Sequence, residues 1–181
     1  MKNLALHILD IAQNSLRAGA KTIRISIIES GEMNTYDMVI EDDGAGIPEA
    51  LLPKVTDPFI TTRTTRKVGL GLPLLMQSTR QTGGSLEILS EEGKGCLVKA
   101  CFISNHIDRP PLGDIAGVIR ILTCANPGVQ IRYTHRTDAA AYTFDSRELR
   151  DEWSEGELMN LSVQKYLKEM IAENLLQIGV T

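Results

Sequence analysis

The sequence predicts an α+β fold, and three observations carry that prediction. Residues 4–18 repeat their apolar side chains at helical spacing, residues 21–29 and 36–42 alternate as strands, and a second helical run is followed by two more alternating runs. In the first helix Leu4, Ile8, Leu9, Ile11, Ala12 and Leu16 form the apolar stripe. His7, Asp10, Asn14 and Arg17, spaced three, four and three residues apart, fall together on its polar face. In the strand over 21–29, Ile23, Ile25 and Ile27 share one side. Residues 31–35 read as a hairpin loop. In the next strand Tyr36, Met38 and Ile40 alternate, and Asp42 continues their parity, so its side chain points where the apolar residues point. A helix is expected over 70–82, with Pro73 in its first turn, where a missing N–H costs nothing. Strands over 85–90 and 96–103, joined by a Glu91–Gly95 turn, close this part of the chain.

Residues 105–181 read as a C-terminal αββα extension, separated from residues 1–104 by the linker-like Asp108-Arg109-Pro110-Pro111-Leu112-Gly113. Asp114 caps a helix carrying Ile115, Val118, Ile119 and Leu122, which Asn126-Pro127-Gly128 stops. Residues 129–136 and 140–144 form a hairpin. Residues 158–178 form a closing helix with Val163, Tyr166, Leu167, Met170 and Ile171 inward. The extension matches no pattern that assigns it a role: extending the sheet, docking a partner and dimerisation all stay open.

The chemistry-bearing residues lie in the first part. Asp42-Asp43-Gly44-Ala45-Gly46-Ile47 is a carboxylate followed by a glycine turn. An ionised carboxylate only accepts hydrogen bonds, so at that place it selects an exocyclic amine, and hence adenine over guanine. Gly44 and Gly46 let the backbone approach a flat ring. Asn14 offers a neutral oxygen suited to a Mg²⁺ brought in by nucleotide phosphates. Asp10, one turn earlier, is placed to orient or deprotonate a water attacking a terminal phosphate. Gly69 and Gly71 precede a helix whose free N–H groups and dipole suit phosphate, and Arg63, Arg66 and Lys67 add positive charge nearby. Each piece alone has an ordinary explanation: a turn, a solvated helix face, a loop.

In this order the pieces resemble one superfamily. Asp10-x-x-x-Asn14, Asp42-x-Gly44-x-Gly46, the Asp57-Pro58-Phe59-Ile60-Thr61-Thr62 box and Gly69-x-Gly71-Leu72 are similar to the N, G1, F and G2 boxes of the GHKL ATPases, which include gyrase, the large heat-shock chaperones, histidine kinases and mismatch-repair ATPases. The resemblance covers residues 1–103. The stretch from Asn14 to Ala20 looks mismatch-repair-like, and that from Asp57 to Gly95 histidine-kinase-like. It implies a two-layer α/β sandwich, the Bergerat fold, with a mixed sheet and helices on one face. It implies Asn14 as magnesium ligand, Asp42 as adenine carboxylate, and Gly44, Gly46 and Ile47 at the purine. Phe59, Thr61, Thr62, Arg63 and Lys67 belong to the nucleotide lid, and Gly69, Leu70, Gly71 and Leu72 to the phosphate loop. Asp10 stands where hydrolysing members carry a glutamate base, one methylene longer. Cys96 replaces a threonine near the adenine, and the paired glycines Gly83-Gly84 lack a preceding histidine. The lid is short, 25 residues between Asp43 and Gly69.

The expected cofactors are therefore ATP and Mg²⁺, and the expected protein is a regulatory kinase-like domain acting on a separate partner protein in trans. The chain opens on its N-box helix, and His106-Ile107-Asp108-Arg109-Pro110-Pro111, which has phosphoacceptor-like spacing, is barred from a helix by its double proline. An ATP-hydrolysing switch and a nucleotide-binding adaptor are the alternatives. With 43% hydrophobic and 23% charged residues the composition is that of a soluble globular protein. A net charge of −4 argues against nucleic acid as partner. No apolar run reaches membrane-span length, so no membrane association is expected. Cys96, Cys101 and Cys124 read as reduced core thiols of a cytoplasmic protein, with Cys96 and Cys101 on opposite faces of one strand. Homo-oligomerisation is left open.

Overall fold

The computed structural model describes residues 2–57 and 71–180. Strands β1 (Thr22–Ser30), β2 (Thr35–Asp42), β3 (Ser85–Glu91), β4 (Gly95–Ile103), β5 (Gln130–Arg136) and β6 (Ala141–Asp145) form one sheet in the order β3-β4-β2-β1-β5-β6. β1 and β5 are parallel, and the other neighbours are antiparallel. The sheet is thus mixed, as expected. The extension adds its hairpin directly to the free side of β1, so residues on both sides of position 104 share one sheet and one apolar core.

Register explains which face is covered. One side carries the rows Leu86–Ala100–Met38–Ile27–His135–Tyr142 and Ile88–Val98–Ile40–Ile25–Tyr133–Phe144. Helices pack on this side, and its central residues are fully buried. The opposite side carries Glu87, Lys99, Val39, Ser26, Thr134 and Thr143 in one row, the polar alternation of a solvated sheet face.

Helix α1 (Leu4–Arg17) starts because Asn3 caps it, its Oδ1 accepting from Leu6 N at 3.0 Å. Its next orphan donors, Leu4 N and Ala5 N, are satisfied by the Pro111 and Leu112 carbonyls at 2.9 and 2.8 Å, which ties the linker to the helix start. Leu4, Ile8 and Ile11 are buried in the core, worth about 2 kcal/mol each. Helix α2 (Gly71–Gln81) packs beside α1, and α3 (Ile115–Ala125) packs on α1 from the extension. The Asp114 side chain caps α3 at Gly117 N, as expected from the sequence.

Two short helices, α4 (Ser146–Glu152) and α5 (Glu155–Leu158), stand where the sequence predicts only a connection, and the closing helix α6 (Leu161–Gln177) begins three residues later than predicted. Leu167 and Ile171 of α6 are buried, but Tyr166, expected inward, is 55% exposed and meets Trp153 edge to face at 5.9 Å. Cys96 and Cys101 face opposite sides as predicted, but Cys101 lies on the solvated face and is not a core thiol; of the three cysteines only Cys124 is buried. No helix among the described residues is long and apolar enough to cross a membrane.

Candidate functional site

Asp42 ends β2 in the helix-facing row that also holds Cys96 and Ser90. Its direction follows from strand parity alone. Ser15, on α1 and 3% exposed, donates its hydroxyl to Asp42 Oδ2 at 2.5 Å. Gly44 N donates to Oδ1 at 2.9 Å. Each carboxylate oxygen is held by one donor and keeps acceptor capacity. Asp43 points the other way: its Oδ1 accepts from Lys21 N at 2.7 Å and Thr22 N at 2.8 Å, closing the start of β1. Partial burial raises the Asp43 carboxyl, but the Thr22 and Lys21 N–H groups outweigh it and hold it below the usual range. Of two adjacent aspartates, one closes the start of β1 and the other is directed to the helix-covered side of the sheet.

The turn after Asp42 is wedged between α1 and the β3–β4 turn. Ala45 N donates to the Ala18 carbonyl at 2.9 Å, and the Ala45 carbonyl accepts from Gly93 N at 2.8 Å. Ile47 N donates to Ser90 Oγ at 2.8 Å, and Ser90 in turn donates to the Gly95 carbonyl at 2.6 Å. Gly46 has φ +69°, and a Cβ there would run into the Glu91 carbonyl, so the tight approach requires glycine. Cys96 sits across the strand pair from Asp42. Burial, reinforced by the Asp42 charge, pushes its thiol up to about 11, so it is a neutral thiol near pH 7.

Along α1 the four polar residues separate into different environments. Asn14 is exposed, and Arg17 donates to its Oδ1 at 3.0 Å, which places a cation beside the oxygen proposed for magnesium. Asp10 is half-buried and lies against Gly71, the first residue of α2; a Cβ at Gly71 would collide with the Asp10 carboxylate. Glycine there brings the start of an eleven-residue helix up to Asp10. His7 is the exception to the predicted polar face. It is fully buried, and both ring nitrogens lack a hydrogen-bond partner among the described residues. Burial, with a smaller push from the N-terminal charge and against the pull of Asp10, lowers its pKa to about 4.

The structure therefore brings Asp10, Asn14, Asp42, Gly44, Gly46, Ile47, Gly71, Leu72 and Cys96 to one end of the sheet, between α1, α2 and the β2 turn. Phe59, Thr61, Thr62, Arg63, Lys67, Gly69 and Leu70 lie outside the described residues. The sequence reading missed Ser15 and Ser90. Ser15 left a trace, a hydroxyl in the apolar stripe one turn after Ile11. Ser90 left none, because its partners depend on how two turns meet. The donor set fits a purine nucleotide and its metal. Asp42 has unused acceptor capacity, the Asn14 oxygen is neutral and sits beside the Arg17 cation, and glycine at position 71 lets the start of α2 come up against Asp10.

A family model described as histidine kinase-, DNA gyrase B-, and HSP90-like ATPase matches residues 2–106. The sensor kinase CckA of Brucella abortus is 32% identical over 54% of this chain and 11% of its own length. Sporulation kinase C of Bacillus subtilis is 30% identical over 48% of this chain and 20% of its own. The chain thus spans only a small part of the curated relatives it matches. Among solved structures, the N-terminal domain of a DNA repair protein superposes with a TM-score of 0.54 at 14% identity, covering 79% of this chain and 52% of that one. That likeness concerns the fold, and it takes in more of the chain than residues 2–106.

Proposed function

The chain belongs to the histidine kinase-, DNA gyrase B- and HSP90-like ATPase family, and from that premise we propose that it binds Mg-ATP and acts as a kinase-like regulatory domain on a partner protein in trans, in the cytoplasm. The observation that carries the nucleotide reading is the presented Asp42 carboxylate, held by Ser15 and Gly44, at the same end of the sheet as Asn14 and the Gly71 start of α2. Asp42 would accept from the adenine amine, and Asn14 would ligate the metal. A magnesium ion held there would supply positive charge to the nucleotide phosphates. Arg17 would add a second positive charge beside the phosphates.

Transfer to a partner, rather than to this chain, is favoured by the three histidines. His7 and His135 are fully buried, and His106 sits in a turn where its Nδ1 accepts from Asp108 N at 3.1 Å. None is displayed on an exposed helix. One observation favours a second reading, ATP hydrolysis driving a conformational switch: Asp10 lies directly against the start of α2, where a terminal phosphate would be bound.

Purified protein with Mg²⁺ and γ-labelled ATP tests both readings. Tight binding with little phosphate release, and label appearing only on an added partner, is the expected result. Steady release abolished by Asp10→Asn would establish the hydrolytic switch instead. Absence of Mg-dependent ATP binding, or an Asn14→Ala variant that binds Mg-ATP as well as the unaltered protein, would refute the site as assigned.

A further inference from the structure

We propose that Ser15 is the positioning residue that sets purine selectivity, by fixing the Asp42 carboxylate and by committing its own proton to it. The inference rests on the adenine reading above.

A terminal carboxylate torsion is soft, so an aspartate at a strand end samples a broad range of orientations unless something holds it. Here two donors from different elements do so: Ser15 Oγ from α1 at 2.5 Å and Gly44 N from the turn at 2.9 Å, one on each oxygen. The plane of the carboxylate is therefore set jointly by helix and turn. Among the described residues no other hydroxyl bonds Asp42. Ser90, in the same row, already donates to the Gly95 carbonyl and accepts from Ile47 N. Cys96, directly opposite Asp42, offers only a thiol, a weak donor.

The polarity of this bond has a second effect. An ionised carboxylate has no proton to give, so Ser15 must be the donor, and its hydroxyl proton is committed to Asp42. The competing acceptor for that proton, the Ile11 carbonyl at 3.3 Å, is neutral and more distant. Asp42, held in place as an acceptor, then meets the ligand edge. The adenine amine brings two N–H groups to such an edge, whereas guanine brings an oxygen that finds no donor. Ser15 also precedes no loop: it follows Asn14 on the same rigid helix, so base recognition and the metal oxygen share one element.

Dissociation constants for ATP and GTP, with Mg²⁺ present, test this on the full chain. Ser15→Ala is expected to lower ATP affinity about tenfold and to reduce the preference for ATP over GTP by a similar factor, the scale of one charge-assisted hydrogen bond. Ser15→Thr, which keeps the hydroxyl, is expected to retain the preference. The melting temperature of nucleotide-free protein serves as the fold control. An unchanged ATP/GTP ratio in Ser15→Ala, including equal loss of both nucleotides, would overturn the proposal. If Ser15→Ala does not fold, Ser15→Cys carries the same expectation and the same refutation. Failure of the unaltered protein to bind ATP at all would instead refute the adenine reading.

Discussion

The two ends of the covered sheet face each hold an acidic residue in a polar network, and they treat it oppositely. At the β2 end, Asp42 is held by Ser15 and Gly44 and keeps acceptor capacity toward solvent. At the far end, Glu29 on β1 meets His135 Nε2 at 2.7 Å, and His135 Nδ1 meets the Tyr133 hydroxyl at 2.6 Å. His135 and Tyr133 are both fully buried. Burial, together with the nearby Tyr36 and Glu29, holds the Tyr133 hydroxyl well above its ordinary pKa, so it stays a neutral phenol within this network. This network bridges β1 of the ATPase portion to β5 of the extension. The contrast separates a network anchored on two fully buried side chains from one that sets a carboxylate at the start of a turn.

Breaking the closed end has the largest expected effect. His135→Ala leaves a cavity and strands the buried Tyr133 hydroxyl, at a cost of about 3 kcal/mol or more. Urea unfolding should show the whole sheet lost in one shifted transition, with ATP affinity of the remaining folded protein unchanged. Altering the open end should do the reverse. Asp42→Asn is expected to weaken ATP binding on the order of 100-fold, the loss of a charge-assisted contact, with the unfolding midpoint little changed. Equal effects of both variants on both measurements would erase the distinction between the two ends.

How much of this was legible in the sequence follows from the range of each interaction. Strand parity fixed the direction of Asp42 and the opposite faces of Cys96 and Cys101, because alternation is a local geometric rule. The Asp114 cap was legible for the same reason. The Ser15–Asp42 bond joins residues 27 positions apart, and the His135–Glu29 bond residues 106 apart, so no spacing rule reveals them. His7 was misplaced because helical spacing sorts one apolar face from one polar face, whereas α1 is packed by both α2 and α3 and buries more than one stripe. The helices α4 and α5 were missed because a charged seven-residue run and a four-residue turn hold too few apolar positions to display a period. Tyr166 looked inward by spacing, and its ring instead covers Trp153.

His7 sharpens the comparison through pH. Its folded pKa, about 4, is below the unfolded 6.5, so the unfolded chain binds the proton first. The destabilisation is absent above pH 6.5, grows as pH falls through that value, and levels off below about 4. At pH 5 it amounts to about 2 kcal/mol. Urea unfolding at pH 7 and pH 5 should show that loss, and His7→Leu should lack most of it. A variant with the same pH dependence as the unaltered protein would assign the acid sensitivity elsewhere.

The smallest expected effect comes from the exposed ion pair between Lys168 on α6 and Asp114 at 2.7 Å. Lys168→Ala should cost no more than about 0.5 kcal/mol, and that remnant should fade with salt. Asp114→Ala should cost about 1 kcal/mol, because the same carboxylate also caps α3. Equal losses for the two variants would assign the stabilisation to the ion pair rather than the cap.

The parallel pairing of β1 with β5 has a consequence for how the chain is made. β1 is synthesised well before the strand that completes its free side, residues 130–136. Until then the edge from Thr22 to Ile28 is an open template for strand pairing, with Ile23, Ile25 and Ile27 beside it. A fragment cut at residue 106, where the family match ends, would keep that edge permanently, and its tendency to aggregate would measure what the extension does for the nascent protein.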